Sequence, residues 1–144
     1  MTRITEYFSK QQALGVLSAP NDYHLKKARQ AGVTSVKVGN RHFYHRQELL
    51  NYLRLRLMKD QTLTEEDINH RLDMINEMYP QFEDIMIEDY VTLTEVLKDW
   101  PYTKEYLYQL TSYRSDNPKI QTVTVDGLML FERHSVAQYL AKAC

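Results

Sequence analysis

The sequence contains an internal repeat of two copies, and this repeat limits the folds open to the chain more than any other feature. Five positions with matching aromatic, arginine and apolar character recur at a constant offset of 87 residues. They are Tyr44, Arg46, Leu49, Tyr52 and Leu53, which correspond to Phe131, Arg133, Val136, Tyr139 and Leu140. Such self-similarity indicates a duplicated structural unit. With 144 residues in all, each copy is a very small domain.

Local signals predict two helices at the start of the first copy. A capping box of the Ser-x-x-Gln type begins at Ser9, and the short helix that follows it is broken by Pro20. Asn21 is expected to cap a second helix that runs to about Ala31. Gly32 then supplies the left-handed residue at which helices commonly end.

A hairpin and a third helix complete the first copy, and the second copy repeats the plan. The sequence Gly39-Asn40-Arg41 between two short apolar runs predicts a tight hairpin, after which a helix starts at about Arg46. In the second copy, Thr92 opens a capping box and Thr103 caps the second helix. Asp126-Gly127 is the corresponding hairpin turn.

The charge of the chain is strongly segregated although its net value is only −1. Residues 1–60 hold 11 Lys and Arg against 4 Asp and Glu, residues 61–90 carry a net charge of −8, and residues 91–144 are neutral. A compact basic segment favours a polyanionic partner for residues 1–60. The alternative is that the basic and acidic segments neutralise each other within one fold.

The predicted organisation is therefore α+β and mainly helical, with domains at 1–60 and 90–144 and an acidic helical connector over 61–89. Within the connector, apolar residues step by four and three positions, and Pro80 should kink or split the helix near Tyr79. The stripe consists of Ile68, Leu72, Ile75, Tyr79, Phe82 and Met86. It either packs on the chain's own domains or forms the seam of a homodimer, for which Leu72 and Ile75 are the central contact residues.

Helix, turn, helix, two-stranded wing and helix within about 50 residues is the winged helix-turn-helix plan, and at these residues the chain resembles the excisionase and MerR-type DNA-binding family. The segments that carry the resemblance are Thr92-Leu93-Thr94-Glu95 and Ser9-Lys10-Gln11-Gln12, Gly32, Val36–Arg41, and the arginine-led Arg46–Leu53. Residues 5–58 match well and residues 90–142 match less well, without the glycine. The resemblance implies double-stranded DNA binding, with the second helix in the major groove and the wing against the backbone.

A helical-wheel projection of the second helix predicts which side chains face DNA. Leu25 and Ala28 lie three residues apart and should face the core, which turns a basic set outward. Lysine and arginine neutralise phosphates, and glutamine and lysine can donate to base edges. With the basic wing and the arginine that begins the third helix, the predicted DNA-binding residues are Tyr23, His24, Lys26, Lys27, Arg29, Gln30, Lys37, Asn40, Arg41 and Arg46.

The second copy has lost this basic character. Its corresponding helix exposes Glu105, Tyr108, Gln109 and Ser112, and its wing contains Asp126. Tyrosine is enriched at protein interfaces, so we expect a protein-contact surface here instead of a DNA-binding one. The residues predicted for it are Tyr102, Tyr106, Tyr108 and Tyr113.

Other classes of function have little support in the sequence. The five histidines are scattered, the single cysteine is Cys144, and no phosphate-binding glycine loop or serine elbow is present, so we expect no enzyme, metal site or cofactor. Without a signal-like apolar stretch or a membrane-length run, a soluble cytoplasmic protein is expected. The predicted function is sequence-specific DNA binding, as a transcription regulator or recombination and excision accessory factor of a phage, plasmid or other mobile element. The alternative is a protein-interaction module or inhibitor on the same scaffold.

Overall fold

The structure, a computed structural model, describes residues 2–111 and 118–143 and divides the chain into two compact units. The first unit is Ile4–Phe82, and the second unit is Glu83–Cys144 together with Met1–Arg3. In the described residues each unit combines helices with one three-stranded antiparallel sheet, so the fold is α+β.

The first unit contains three strands and four α-helices, preceded by the 3-10 helix Ile4–Glu6. In chain order these elements are β1 Tyr7–Ser9, α1 Lys10–Val16, α2 Tyr23–Gln30, β2 Ser35–Val38, β3 Arg41–His45, α3 Arg46–Leu57 and α4 Glu65–Met78. The sheet order is β1-β3-β2. Phe8, Leu25 and Leu49 are fully buried and bring β1, α2 and α3 onto one hydrophobic core.

The second unit has the same order of elements, as the sequence repeat predicts. After the 3-10 helix Ile87–Asp89 come β4 Tyr90–Val91, α5 Leu93–Asp99, α6 Lys104–Gln109, β5 Thr122–Val125, β6 Leu128–Glu132 and α7 Arg133–Ala143. Its sheet order, β4-β6-β5, is equivalent to that of the first unit. Its core contains Trp100, Leu107 and Phe131.

Three of the four predicted N-cap residues form the expected hydrogen bonds, and the fourth, Asn21, does not occupy the N-cap position. The side-chain oxygens of Ser9 and Thr92 accept from backbone N–H groups three residues on, and both capping boxes are complete. Thr103 caps α6 in the same way. The N-cap of α2 is Asp22, whose side chain forms no capping hydrogen bond, and Asn21 one residue earlier accepts at Oδ1 from the N–H of Tyr23. Gly32 adopts the left-handed φ of +109° just beyond the C-terminal end of α2.

The two hairpins turn through two residues each and use different turn types. In the first, Gly39 has φ +63° and is the first central residue, which defines a type II′ turn. In the second, Asp126 and Gly127 have φ +53° and +76°, the combination required by a type I′ turn. Both types match the right-handed twist of the flanking strands.

Strands β1 and β4 were not predicted, and each adds a third strand to its hairpin. Tyr7 pairs with His45 in the first unit, and Tyr90 pairs with Glu132 in the second. Both follow a shared pattern, Ile4-Thr5-Glu6-Tyr7 and Ile87-Glu88-Asp89-Tyr90. At three and two residues, the strands are too short for the alternation of polar and apolar residues that signals a strand.

The prediction of a separate connector at 61–89 is wrong, because α4 is part of the first unit. Ile68 and Leu72 are buried in the same core as Phe8, and Ile75 and Tyr79 are half-buried against that core. The helix ends at Met78, two residues before Pro80, as expected of proline. From Ile68 to Tyr79 the apolar stripe therefore packs within the first unit. Leu72 is buried there and Ile75 is half-buried, so these residues do not form the exposed seam that the homodimer interpretation requires.

Truncating Leu72 should therefore destabilise the first unit without changing the oligomeric state. We expect Leu72→Ala to lower the free energy of unfolding by about 2 kcal/mol, since it removes buried methyl groups and leaves a cavity. Met74→Ala on the exposed side of the same helix should change it by less than about 0.5 kcal/mol. Thermal melts followed by circular dichroism and light scattering measure both. If the Leu72→Ala protein keeps its stability but light scattering shows that a dimer has become a monomer, the dimer interpretation would be restored.

Candidate nucleic-acid interface

Helix α2 is held by apolar contacts on one side and by hydrogen bonds at both ends. Leu25 and Ala28 are buried, as the helical wheel predicts. The Asn21 side chain accepts a hydrogen bond from the N–H of Tyr23, and the N–H of Val33 donates to the carbonyl of Ala28 beyond the turn at Gly32. These contacts fix which side of α2 faces solvent.

The outward side of α2 carries most of the predicted DNA-binding side chains. Lys26, Lys27, Arg29 and Gln30 are exposed, and His24 is half-buried. Tyr23 leaves 56% of its surface exposed at the first position of the helix. Three permanent cations and one amide donor therefore lie on two turns of exposed helix.

Carboxylates do not compete for these cations within α2, which contains no acidic residue. Asp22, just before the helix, is paired with Lys10 at a distance of 2.8 Å between Nζ and Oδ2. The ammonium of Lys27 lies 4.8 Å from the centroid of the Tyr23 ring, and its hydrogen bond with Tyr23 raises the pKa of Lys27. Lys27 is therefore charged at neutral pH.

The positive charge is local to this part of the first unit. With α4 included, the unit Ile4–Phe82 has eleven Lys and Arg against nine Asp and Glu, a net charge of +2. The acidic side chains of α4 are Glu65, Glu66, Asp67, Asp73 and Glu77, and all are exposed on that helix. The net charge of +7 over residues 1–60 is therefore larger than the net charge of the folded unit. The exposed cations of α2 are not affected by this difference, because the additional acidic side chains lie on α4.

The β2–β3 hairpin adds further exposed hydrogen-bond donors, and buried apolar residues hold it against the core. Lys37, Asn40 and Arg41 are exposed, whereas Val38 and Phe43 are buried. Only residues 31–34 separate the end of α2 from the start of β2. Helix and hairpin are therefore consecutive parts of one small unit, and both present cations to solvent.

Arg46 does not belong to this surface, which corrects its assignment as a DNA-binding residue. Only 7% of Arg46 is exposed. Its Nη2 donates to the carbonyl oxygens of Asn76 and Tyr79 and to Oδ1 of Asn76, and its guanidinium lies 4.1 Å from the centroid of the Phe8 ring. Arg46 thus holds the C-terminal end of α4, where a cation is favoured by the helix dipole.

Two cations that the sequence analysis did not single out lie beside α2. Arg56, in the last turn of α3, and Lys59, just beyond it, line a groove together with His24 and Lys27. They are about 30 residues away from α2 in the chain, so no local pattern connects them with it. The run of Arg54, Arg56 and Lys59 was the available signal, and cations at a helix C-terminus also have a purely structural explanation.

The equivalent surface of the second unit carries no net positive charge. On α6, the exposed Lys104 is followed by the exposed Glu105. Gln109 is exposed and Tyr108 is half-buried, while Leu107 is fully buried. Ser112 lies outside the described residues. The second hairpin turns at Asp126, and in all the second unit has seven Lys and Arg against ten Asp and Glu.

The predicted tyrosine surface is largely an aromatic cluster that stabilises the second unit. Tyr102 is exposed, but Tyr106 is half-buried and its hydroxyl is hydrogen-bonded to that of Tyr139, which raises the pKa of Tyr139 to about 12. Both tyrosine rings lie within 6.5 Å of buried Trp100, centroid to centroid. Tyr108 is half-buried below Lys104, and Tyr113 lies outside the described residues.

Over residues 2–111 and 118–143, no three His, Cys, Asp or Glu side chains are grouped closely enough to hold a metal ion. In the same part of the chain, every helix is too short or too polar to cross a membrane. No protein-family model, no curated protein and no solved structure matches this chain. The function must therefore be argued from the surfaces of the two units.

Proposed function

We propose that this chain is a sequence-specific double-stranded DNA-binding protein of the winged helix-turn-helix type, built from two divergent copies of that domain. In this proposal α2 enters the major groove and the β2–β3 hairpin contacts the backbone. The activity would be regulation of transcription or assistance to site-specific recombination, of the kind found in mobile elements.

The observation that carries the proposal is the contrast between α2 and α6. The two helices occupy the same place in their units, yet α2 exposes Lys26, Lys27 and Arg29 and contains no carboxylate. Helix α6 exposes one cation, Lys104, directly beside the carboxylate of Glu105, so its exposed side carries no net positive charge. A phosphate backbone attracts the first surface and is indifferent to or repelled by the second.

The order of elements supports the same assignment. In the first unit, α1 and α2 are joined by a short turn that contains Pro20, and α2 is followed directly by an antiparallel hairpin whose turn is exposed. The hairpin carries Lys37, Asn40 and Arg41, which suit phosphate contacts. Phosphate contacts fix the position on the duplex, whereas Gln30 would contact a base edge.

The proposal is tested by selecting, from a pool of random duplexes, the DNA sequences that full-length protein binds at two salt concentrations. We expect enrichment of a common sequence and a steep loss of affinity with salt. If Lys26, Lys27, Arg29, Lys37 and Arg41 all contact phosphates, affinity should fall roughly 500-fold between about 50 and about 200 mM salt. Enrichment of no sequence, with no salt-dependent retention of duplex, would refute DNA binding.

A protein-interaction role for the second unit is the second candidate, and exposed Tyr102 beside the Trp100 cluster favours it. On this account a protein partner contacts α6 and its surroundings. Purified full-length protein should then retain a partner after nuclease treatment, and Tyr102→Ala should release it. Retention that disappears with the nuclease would mean that DNA had bridged the two proteins.

A further inference from the structure

The groove between α2 and α3 is lined by positively charged side chains that come from segments far apart in the sequence. It has a volume of about 530 Å³ and is lined by His24, Lys27, Tyr52, Leu55, Arg56 and Lys59. All six residues lie in the described part of the chain and none of them is acidic. Three permanent cations and a histidine thus converge on one open groove.

The nearest acidic residue in sequence does not neutralise it. Asp60 follows Lys59 directly, but its Oδ1 accepts hydrogen bonds from the backbone N–H and the hydroxyl of Thr62 at 3.0 and 2.6 Å. These bonds lower the pKa of Asp60 and hold its carboxylate in the loop after α3. The cations of the groove are therefore left for an anion from outside the chain.

The remaining lining residues are apolar surfaces exposed to solvent. Leu55 leaves 61% of its surface exposed, and Tyr52 is half-buried with the Arg56 guanidinium 6.0 Å from its ring centroid. An anion that carries an apolar edge, such as a sugar–phosphate backbone, fits such a lining better than a bare inorganic ion. Sugar edges can pack on Leu55 and Tyr52 while the phosphates contact the cations.

We propose that this groove binds the phosphate backbone of DNA beside the segment contacted by α2. The inference rests on the proposed function and extends it, because Lys27 both lines the groove and lies on the exposed side of α2. The DNA-contacting surface thus continues from α2 onto the C-terminal end of α3. Arg56 and Lys59 contribute affinity for any duplex and no sequence preference.

The test compares two double variants of full-length protein. Arg56→Ala with Lys59→Ala removes two cations from the groove. Lys119→Ala with Lys142→Ala removes two from the groove beside Tyr139, the residue equivalent to Tyr52 in the second unit. Binding to a labelled mixed-sequence duplex is measured by fluorescence anisotropy over a series of salt concentrations. Circular dichroism melts establish that each variant is folded.

We expect the first variant to reduce the slope of log affinity against log salt by about 1.8, and to weaken binding roughly 30-fold at about 0.15 M salt. The loss should be the same for a selected and an unselected duplex. The second variant should leave the slope unchanged. The exchange variant Arg56→Lys with Lys59→Arg keeps both charges and should retain most of the wild-type slope.

Four results would overturn the inference. If the wild type binds duplex and the first variant keeps its slope, the groove makes no phosphate contact although the proposed function stands. If both double variants lose affinity equally, the loss follows net charge and not the groove. If inorganic phosphate shifts the NMR signals of Arg56 and Lys59 as strongly as duplex at equal phosphate concentration, the site takes small anions. If the wild type binds no duplex, the inference fails together with the proposed function.

Discussion

Replacing Arg46 by alanine should destabilise the first unit by about 3 kcal/mol, a large effect for a residue that begins a helix. The substitution removes three hydrogen bonds from Nη2, leaves the carbonyls of Asn76 and Tyr79 without their donor, and removes the cation beside Phe8. For a unit of this size the midpoint of thermal unfolding should fall by more than about 10 °C.

The repeat supplies a matched control for this substitution. Arg133 occupies the equivalent position in the second unit, but it is exposed and its Nε donates to one carbonyl, that of Glu88, at 3.2 Å. Arg133→Ala should cost less than about 1 kcal/mol. If the two substitutions have equal effects on the melting curve, the buried contacts of Arg46 contribute no more than an exposed hydrogen bond.

A DNA-binding measurement distinguishes a structural role of Arg46 from the DNA-binding role that the sequence predicts for it. At a temperature where Arg46→Ala protein is still folded, its affinity for duplex should show the wild-type salt slope, because the guanidinium is turned into the unit. A slope reduced by about 0.9 would instead return Arg46 to the phosphate contacts.

The parts of the fold that depend on neighbouring residues were predictable from the sequence. Asn21 and Gly32 mark the ends of α2 by chemistry that acts within a few residues, as Asp126-Gly127 marks a hairpin turn. Leu25 and Ala28 lie three residues apart and therefore on the same side of the helix, and this apolar side faces the core. The orientation of α2, on which the candidate site depends, follows from these local rules.

What could not be predicted depends on partners far away in the chain. The spacing of Ile68 and Leu72 indicates an apolar stripe, but no periodicity says whether the chain itself or a second copy covers it. Likewise, an arginine that begins a helix is usually solvated, and Arg46 is buried only because Asn76 and Tyr79, about 30 residues on, supply carbonyls. Arg56 reaches the groove beside Lys27 through the same long-range packing.

Reversing the charge of Lys26 and Lys27 together should abolish specific DNA binding at physiological salt. Removing two phosphate contacts costs roughly 30-fold at about 0.15 M salt, and the two carboxylates together add a repulsion of about the same size. Lys26→Glu with Lys27→Glu should therefore weaken binding on the order of 1000-fold. Both side chains are exposed, and we therefore expect only a small change in thermal stability.

The matched control reverses two exposed lysines of the second unit, Lys98→Glu and Lys104→Glu. It changes the net charge of the chain by the same amount and leaves α2 intact, so any loss of affinity that it causes measures the general effect of charge. If the second unit takes no part in DNA binding, this variant should keep its selected sequence and bind within a few-fold of wild type. Equal losses in the two variants would mean that the loss follows the net charge of the chain and not the position of the two lysines on α2. The contrast between the surfaces of α2 and α6 would then carry no information about which unit binds DNA.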